Sequence, residues 1–366
     1  MTLSSAASMV VTSFLVLSTL PGAVHCLKFT SAQEAEADED LMLTPSSLKN
    51  CQMVTSSMDV KLDNVVFATP SLIVVEEALQ NAGANHINRY LSFRLPDGSC
   101  REEGGMTLSC AAGAETTDNH CEEYGKSVKA GPCYSRAPGK CSFIEPPSWI
   151  RGELVAGLLG GGGDIRHSSF LQKGAVRNDL KILSLGVGAG AIPGFVSAHF
   201  PGATVTGVDI DADVLFAAKH FFLQSDQGEP QGNVQLVNGD ARVKLGEQQD
   251  GSLDAIYIDA YQPQDEAPDG LYTATQLRTA KSKLRAGGRL VMVVGIDDNA
   301  VPRKNLLETL KKLGFSEVRH GESHRGDEFV MGQNGNSVNE ITADTQDTMK
   351  TVRQWYDDLK WTTQVD

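Results

Sequence analysis

From Lys181 onward, short apolar runs alternate with stretches of helical spacing. KILSL (181–185), TVTGV (204–208), VQLVN (234–238), DAIYI (254–258) and RLVMVV (289–294) predict strands, joined through helices by short connections. Strand and helix in strict alternation specify a parallel α/β sheet. The pattern then changes: the runs from Phe315 to His320 and from Glu328 to Met331 are separated by the turn-rich GESHRGD, which predicts a hairpin and an antiparallel final strand. The fold class expected is α/β, Rossmann-like: a seven-stranded sheet with an antiparallel last strand, unlike the all-parallel sheet of dinucleotide dehydrogenases.

The amino-terminal part reads differently. NVVFATPSLIVV (64–75) and INRYLSFRL (87–95) are β-prone, and Pro96-Asp97-Gly98 signals a turn. The interval from Gly104 to Lys140, rich in Gly, Ser, Thr and Cys, is expected to be a loop insertion held by disulfides more than by burial. Residues 146–159 have helical apolar spacing and run into Gly160 to Gly163, read as a linker. At the end, Met349, Val352, Trp355, Tyr356 and Leu359 repeat at helical spacing and predict a packing helix.

The apolar run from Met9 to Leu20 is too short to span a bilayer as a helix and reads as a signal-peptide core. An acidic stretch with Glu34, Glu36, Asp38, Glu39 and Asp40 follows. The expected organisation is therefore a signal peptide (1–26), an acidic linker (27–59), a small cysteine-rich, disulfide-containing β domain (60–145), an α/β domain (146–335) and a helical tail (336–366).

All seven cysteines lie at or before Cys141. If Cys26 leaves with the signal, an even number remains, which behind a signal peptide reads as a disulfide framework and places the protein in the endomembrane lumen or outside the cell. No C-x-x-C pair has zinc-ligand spacing, so no metal site is expected. The net charge of −14 over 366 residues excludes nucleic acid or an anionic membrane surface as the main partner. It suits a cationic acceptor, and after cleavage no segment is left to span a membrane.

Candidate chemistry lies where the strands end. KILSL leads into Gly186-Val187-Gly188-Ala189-Gly190, where a strand-to-helix turn needs glycine for positive φ and for close approach of a ligand. That triplet alone does not separate NAD from S-adenosylmethionine. Asp209 ends the next strand, placed to accept from ribose hydroxyls, with Asp211 competing for the role. Asp240, in Asn238-Gly239-Asp240-Ala241-Arg242, is placed to accept from the adenine amino group or to cap a helix. DAIYI delivers Asp259, Ala260, Tyr261, Gln262 and Pro263 to the same edge, with Asp259 as the acid/base candidate and Tyr261 beside it.

Taken together, ILSLGVGAGAIPGFVSAHFPGATVTGVDID, VNGDAR, LDAIYIDAYQP and PDGLYT resemble the spermidine synthase-like methyltransferases, in particular the group containing the C-terminal domain of the elongation factor 1A dual methyltransferase. The resemblance spans about Leu180 to Gly332, and more weakly PPSWIRGELVAGLL and NRYLSFRL. It implies the Rossmann-like class I methyltransferase sheet, an S-adenosylmethionine-binding methyltransferase domain over 146–335, and S-adenosylmethionine or its decarboxylated form as cofactor. Gly186, Gly188 and Gly190 would line its methionine and ribose portion, Asp209 would hold the ribose, and Asp240 and Ala241 would flank adenine. The aminopropyltransferases carry G-G-G-D-G and D-S-S-D-P where this chain has Gly-Val-Gly-Ala-Gly and Asp259-Ala-Tyr-Gln262-Pro263. A neutral amide at Gln262 does not act as a base.

The expected function is methyl transfer to an unidentified acceptor, an amine being one candidate. The alternatives are an aminopropyltransferase, a secreted non-catalytic binding protein on the same fold and, last, an NAD-dependent oxidoreductase. The tail aromatics are available to a homodimer.

Overall fold

The computed structural model describes residues 64–78, 86–115, 120–128, 133–135, 139–146, 150–151, 154, 156–157, 171–172, 175–176, 179–200, 202–223, 233–260, 270–295, 303–322, 328–335 and 360–362. The apolar leader, the acidic stretch, Cys26, Cys51, Gly160 to Gly163, Tyr261 to Pro263 and the repeat from Met349 to Leu359 lie outside these residues.

The first sheet is antiparallel. Its strands are β1 (Val65–Ala68), β2 (Leu72–Ala78), β3 (His86–Arg94), β4 (Cys100–Glu115), β5 (Tyr134–Ser135) and β6 (Gly139–Glu145), in the order β5-β1-β2-β3-β4-β6. Helix α1 (His120–Ser127) follows β4. The expectation of a loop from Gly104 to Lys140 is thus corrected: strand β4 and helix α1 occupy most of it. Met106 and Leu108 alternate inward along β4, which pairs with β3 through Ile87↔Leu108 and Arg89↔Met106, and α1 buries His120 and Tyr124. Disulfides join Cys110 to Cys141 across β4 and β6, and Cys121 to Cys133; Cys100 is disulfide-bonded as well. Burial and cross-links hold this region together.

After a two-stranded hairpin of β7 (Leu171–Gln172) and β8 (Ala175–Val176), the second sheet begins. Its first strands are β9 (Lys181–Leu185), β10 (Thr204–Asp209), β11 (Asn233–Asn238) and β12 (Leu253–Ile258). They are followed by β13 (Leu284–Gly295), β14 (Ser316–Glu322), β15 (Glu328–Gln333) and β16 (Lys360–Thr362). The order is β11-β10-β9-β12-β13-β15-β14-β16, parallel from β11 through β13, with β15 antiparallel to both neighbours. This is the expected Rossmann-like methyltransferase arrangement, extended to eight strands. The added strand β16 pairs with His320 to Glu322 and covers the edge of β14, whose backbone groups would otherwise be unpaired on that side. The central strands are apolar on both faces: β12 is buried throughout and β9 is buried except at Lys181, whereas β11 leaves Asn233, Gln235 and Asn238 exposed.

Helices α2 (Ala191–His199), α3 (Ala212–Ala217), α4 (Ala241–Glu247), α5 (Ala274–Lys283) and α6 (Arg303–Lys312) cover this sheet. The chain continues from α3 directly into a π-helical turn, Ala218–Phe222. Residues of both sheets share one core: Phe67 of β1 stacks on Phe221 at 4.8 Å, and Tyr124 of α1 meets Phe216 edge-on at 5.3 Å. A second apolar cluster, on the other face of the parallel sheet, includes Leu185, Ile256 and Ile258 with Leu277 of α5 and Leu306 and Leu310 of α6.

Candidate functional site

A cavity of about 420 Å³ opens at the carboxyl ends of β9, β10 and β12, where the strand order departs in both directions from β9. This is the switch point at which open α/β sheets take ligands. The glycine loop forms its floor. Gly186 has φ +87°, and a Cβ there would lie 1.9 Å from the Asp259 carbonyl oxygen, so this position excludes every side chain. Gly188, also at positive φ, lines the cavity; a Cβ on it would meet only the Glu103 carbonyl oxygen, at 3.6 Å, so the missing carbon leaves room for a ligand. Gly190 caps α2 in the left-handed conformation.

Asp209, at the end of β10, clasps that loop. Its Oδ2 accepts from the Val187 N–H at 2.9 Å and its Oδ1 from the Asp211 N–H at 3.0 Å. Burial raises its pKa, and the backbone donors at Asp211, Val187 and Gly188 oppose that shift. Each carboxylate oxygen has a second lone pair, so the group can hold the loop and still accept from a diol. Asp211 instead caps α3, accepting from the Asp213 N–H at 2.8 Å.

Asp240 caps α4 by accepting from the Arg242 N–H at 2.8 Å, and the Arg242 guanidinium lies on both its oxygens. That side-chain hydrogen bond is the chief cause holding its pKa below the ordinary carboxylate value. Of the two roles open to Asp240 in the sequence, the cap is the one seen, and Asp240 and Ala241 nevertheless both line the cavity. Asp259 reaches the opposite wall, its N–H bonded to the Leu185 carbonyl at 2.9 Å. All predicted positions among the described residues therefore meet at one cavity, except Gly190, which acts as the helix cap behind it. Tyr261 lies outside the described residues.

One cavity-lining carboxyl group was missed in the sequence. Glu103, on β4 of the antiparallel sheet, forms part of the cavity wall, and its Oε1 is buried without a hydrogen-bond partner. Arg101 is its ion-pair neighbour, at 3.9 Å, beyond hydrogen-bond reach. Burial pushes its pKa up to about 8; Arg101 opposes the shift, while Asp259, Asp209 and Glu102 add to it. The signal lay in Glu102-Glu103-Gly104-Gly105, two acids before two glycines in a β-prone run. Glycine inside a strand marks close backbone approach, and a Cβ on Gly104 would stand 3.2 Å from the Ala189 Cβ of the glycine loop.

Parts of the chain are similar to known proteins. Residues 163–315 match the spermine/spermidine synthase domain. Polyamine aminopropyltransferase 2 of Hyperthermus butylicus is 35% identical over 113 residues, covering 30% of this chain and 37% of that protein. The chain thus spans little more than a third of the length of the curated relative it matches. Among solved structures, a probable spermidine synthase from Corynebacterium glutamicum aligns over 80% of this chain and 88% of its own, at 14% identity and a TM-score of 0.48. Human methyltransferase-like protein 13, in complex with SAH, aligns over 56% and 91%, at 19% identity and a TM-score of 0.41. Both TM-scores lie under 0.5, and the fold assignment rests on the strand order itself. With the domain match enclosing the glycine loop, Asp209, Asp240 and Asp259, the chain carries a spermidine synthase-like domain over residues 163–315.

Proposed function

We propose that the cavity binds an S-adenosylmethionine-type sulfonium nucleoside and that the protein transfers its methyl group to an amine. The observation that carries this reading is the meeting of Glu103, Asp209 and Asp259 around a glycine floor in one cavity. The residues present suit such a ligand: Gly188 leaves the space a Cβ would fill, Asp209 keeps lone pairs for ribose hydroxyls, and the walls are acidic toward a cation. Bound there, the nucleoside supplies an electrophilic carbon whose transfer leaves a neutral thioether.

The chain's own residues orient the acceptor and move its proton. Asp259 draws an ammonium group to the strand edge, and Glu103 faces it from the other sheet. An amine attacks only as the free base, so the proton it sheds passes to a carboxylate. Glu103, held near neutrality by its surroundings, is suited to accept and release that proton. Alignment of acceptor and carbon in a shared cavity supplies the remainder. Cysteines paired as Cys110–Cys141 and Cys121–Cys133 support an oxidising compartment as the place of action.

Aminopropyl transfer is the second reading, favoured by the domain match and by the curated relative, named as a polyamine aminopropyltransferase. Against it stands Gln262, where the aminopropyltransferase pattern has a second aspartate. Calorimetric titration with S-adenosylmethionine, its decarboxylated form and S-adenosylhomocysteine separates the two. Tighter binding of the first and third supports methyl transfer, preference for the decarboxylated form supports aminopropyl transfer, and binding of none of the three overturns both.

A further inference from the structure

Away from the cavity, helix α1 and the π-helical turn after α3 bring together three side chains of metal-ligating type. His120, Glu123 and His220 each offer one ligand atom, and these atoms lie within 4.8 Å of one another. It is the one such group of three or more among the described residues. His220 Nε2 stands 3.4 Å from Glu123 Oε1. Two ligands about 2.0–2.1 Å from a tetrahedral zinc ion are separated by roughly 3.3 Å, so that pair already spans one edge of such a site. His120 completes the triangle, none of whose edges exceeds 4.8 Å, so gathering the three atoms around one ion takes a side-chain shift of roughly an ångström and a half at most.

The setting fixes the imidazoles more firmly than a surface pair would be fixed. His120 and His220 are both buried, with ring centroids 5.6 Å apart. His220 lies against Phe216 at 4.3 Å and His120 against Phe221 at 4.9 Å. His120 and Glu123 are three apart on α1 and therefore share a helix face. The disulfide from Cys121 to Cys133 anchors that helix beside them. His220 sits in the middle of a π-turn, a distortion that often accompanies functional positions in helices. Glu123 is half-exposed, so water reaches the group from its side.

We propose that His120, Glu123 and His220 form a zinc site, with water as the fourth ligand, that staples α1 of the antiparallel sheet's excursion to the π-turn behind the cofactor cavity. Two imidazoles and a carboxylate are a donor set suited to zinc over the harder magnesium and calcium. The site owes nothing to the cysteines, so their spacing does not bear on it. It acts on the fold through α3, whose Val214 lines the cavity and whose far end runs into the His220 turn.

The test uses the full chain, disulfides intact, free thiols alkylated and metals stripped with chelator. Titration with zinc is expected to give one equivalent bound with a micromolar or tighter Kd, and saturating zinc should raise the unfolding midpoint by about 5 °C. Glu123→Gln, half-exposed and nearly isosteric, keeps the fold and should weaken zinc binding at least tenfold, as should His220→Asn. His199→Asn, at a half-buried histidine outside the group, should leave it unchanged. Cobalt(II) in place of zinc should show the intense visible bands of a tetrahedral centre. Failure of the wild-type chain to take up zinc, or equal affinity in Glu123→Gln and His220→Asn, overturns the proposal.

Discussion

Gly186 shows how much one missing carbon decides. Alanine there would combine a left-handed backbone with a Cβ 1.9 Å from the Asp259 carbonyl oxygen, and the atom it meets is backbone that has no rotamer to yield. Gly186→Ala should therefore lower stability by about 2–4 kcal/mol in urea denaturation and abolish nucleoside binding, because the floor and the Asp259 wall move apart together. Glycine at this position was legible from the strand-to-helix context. Glu103 was not, because its role depends on a glycine loop more than eighty residues later in the chain. Its raised pKa has a signed consequence for stability. The folded chain holds the proton from the ordinary 4.5 up to about 8, so the stabilising contribution is full below pH 4.5 and is lost as pH rises through about 8. Glu103→Gln removes that loss. The variant should gain stability relative to the wild type between pH 5 and 8.5, by a few kcal/mol at most, with no relative gain below pH 4.5; a difference independent of pH would contradict the assignment.

At the scale of elements, the parallel strands were legible because they are short β-prone runs, alternating with helical spacing, that have acids or glycines at their ends. The stretch between Gly104 and Lys140 was not. Its glycines mark a strand pressed against another backbone, and they lower local β-propensity in the same measure as they permit that approach. What holds α1 in place is likewise non-local. The buried carboxylate of Asp213, in α3, accepts from the Tyr124 hydroxyl at 2.8 Å and the Ser71 hydroxyl at 2.5 Å, tying α1 and the β1–β2 turn to one helix of the second sheet. Tyr124→Phe should cost about 1–2 kcal/mol, since it strips one donor from a buried charge while keeping the ring against Phe67 and Phe216. Asp213→Ala should cost more, leaving two hydroxyls without their acceptor. Urea midpoints for the two variants check the order.

For the molecule as a whole, sequence composition suggested a boundary near residue 145, with cysteines and short strands before it and the alternating pattern after it. The packing crosses that boundary. Val66, Phe67, Leu91 and Met106 from the first sheet join Ala191, Phe195, Phe216 and Phe221 from the second in one apolar cluster, and Arg89 of β3 donates to the Phe221 carbonyl. The cavity crosses it too, with Phe93, Glu103 and Gly104 forming part of its wall. A fragment of residues 146–335, although it contains the whole matched domain, would present Phe216 and Phe221 to water and lack Glu103. It should therefore bind the hydrophobic dye ANS and show no calorimetric response to S-adenosylhomocysteine. The full chain, in contrast, should lose its cavity and both sheets in one cooperative step by circular dichroism and by tryptophan fluorescence, the two probes coinciding. A stable, nucleoside-binding fragment would mean that the shared core contributes little, and that the antiparallel sheet serves the acceptor alone.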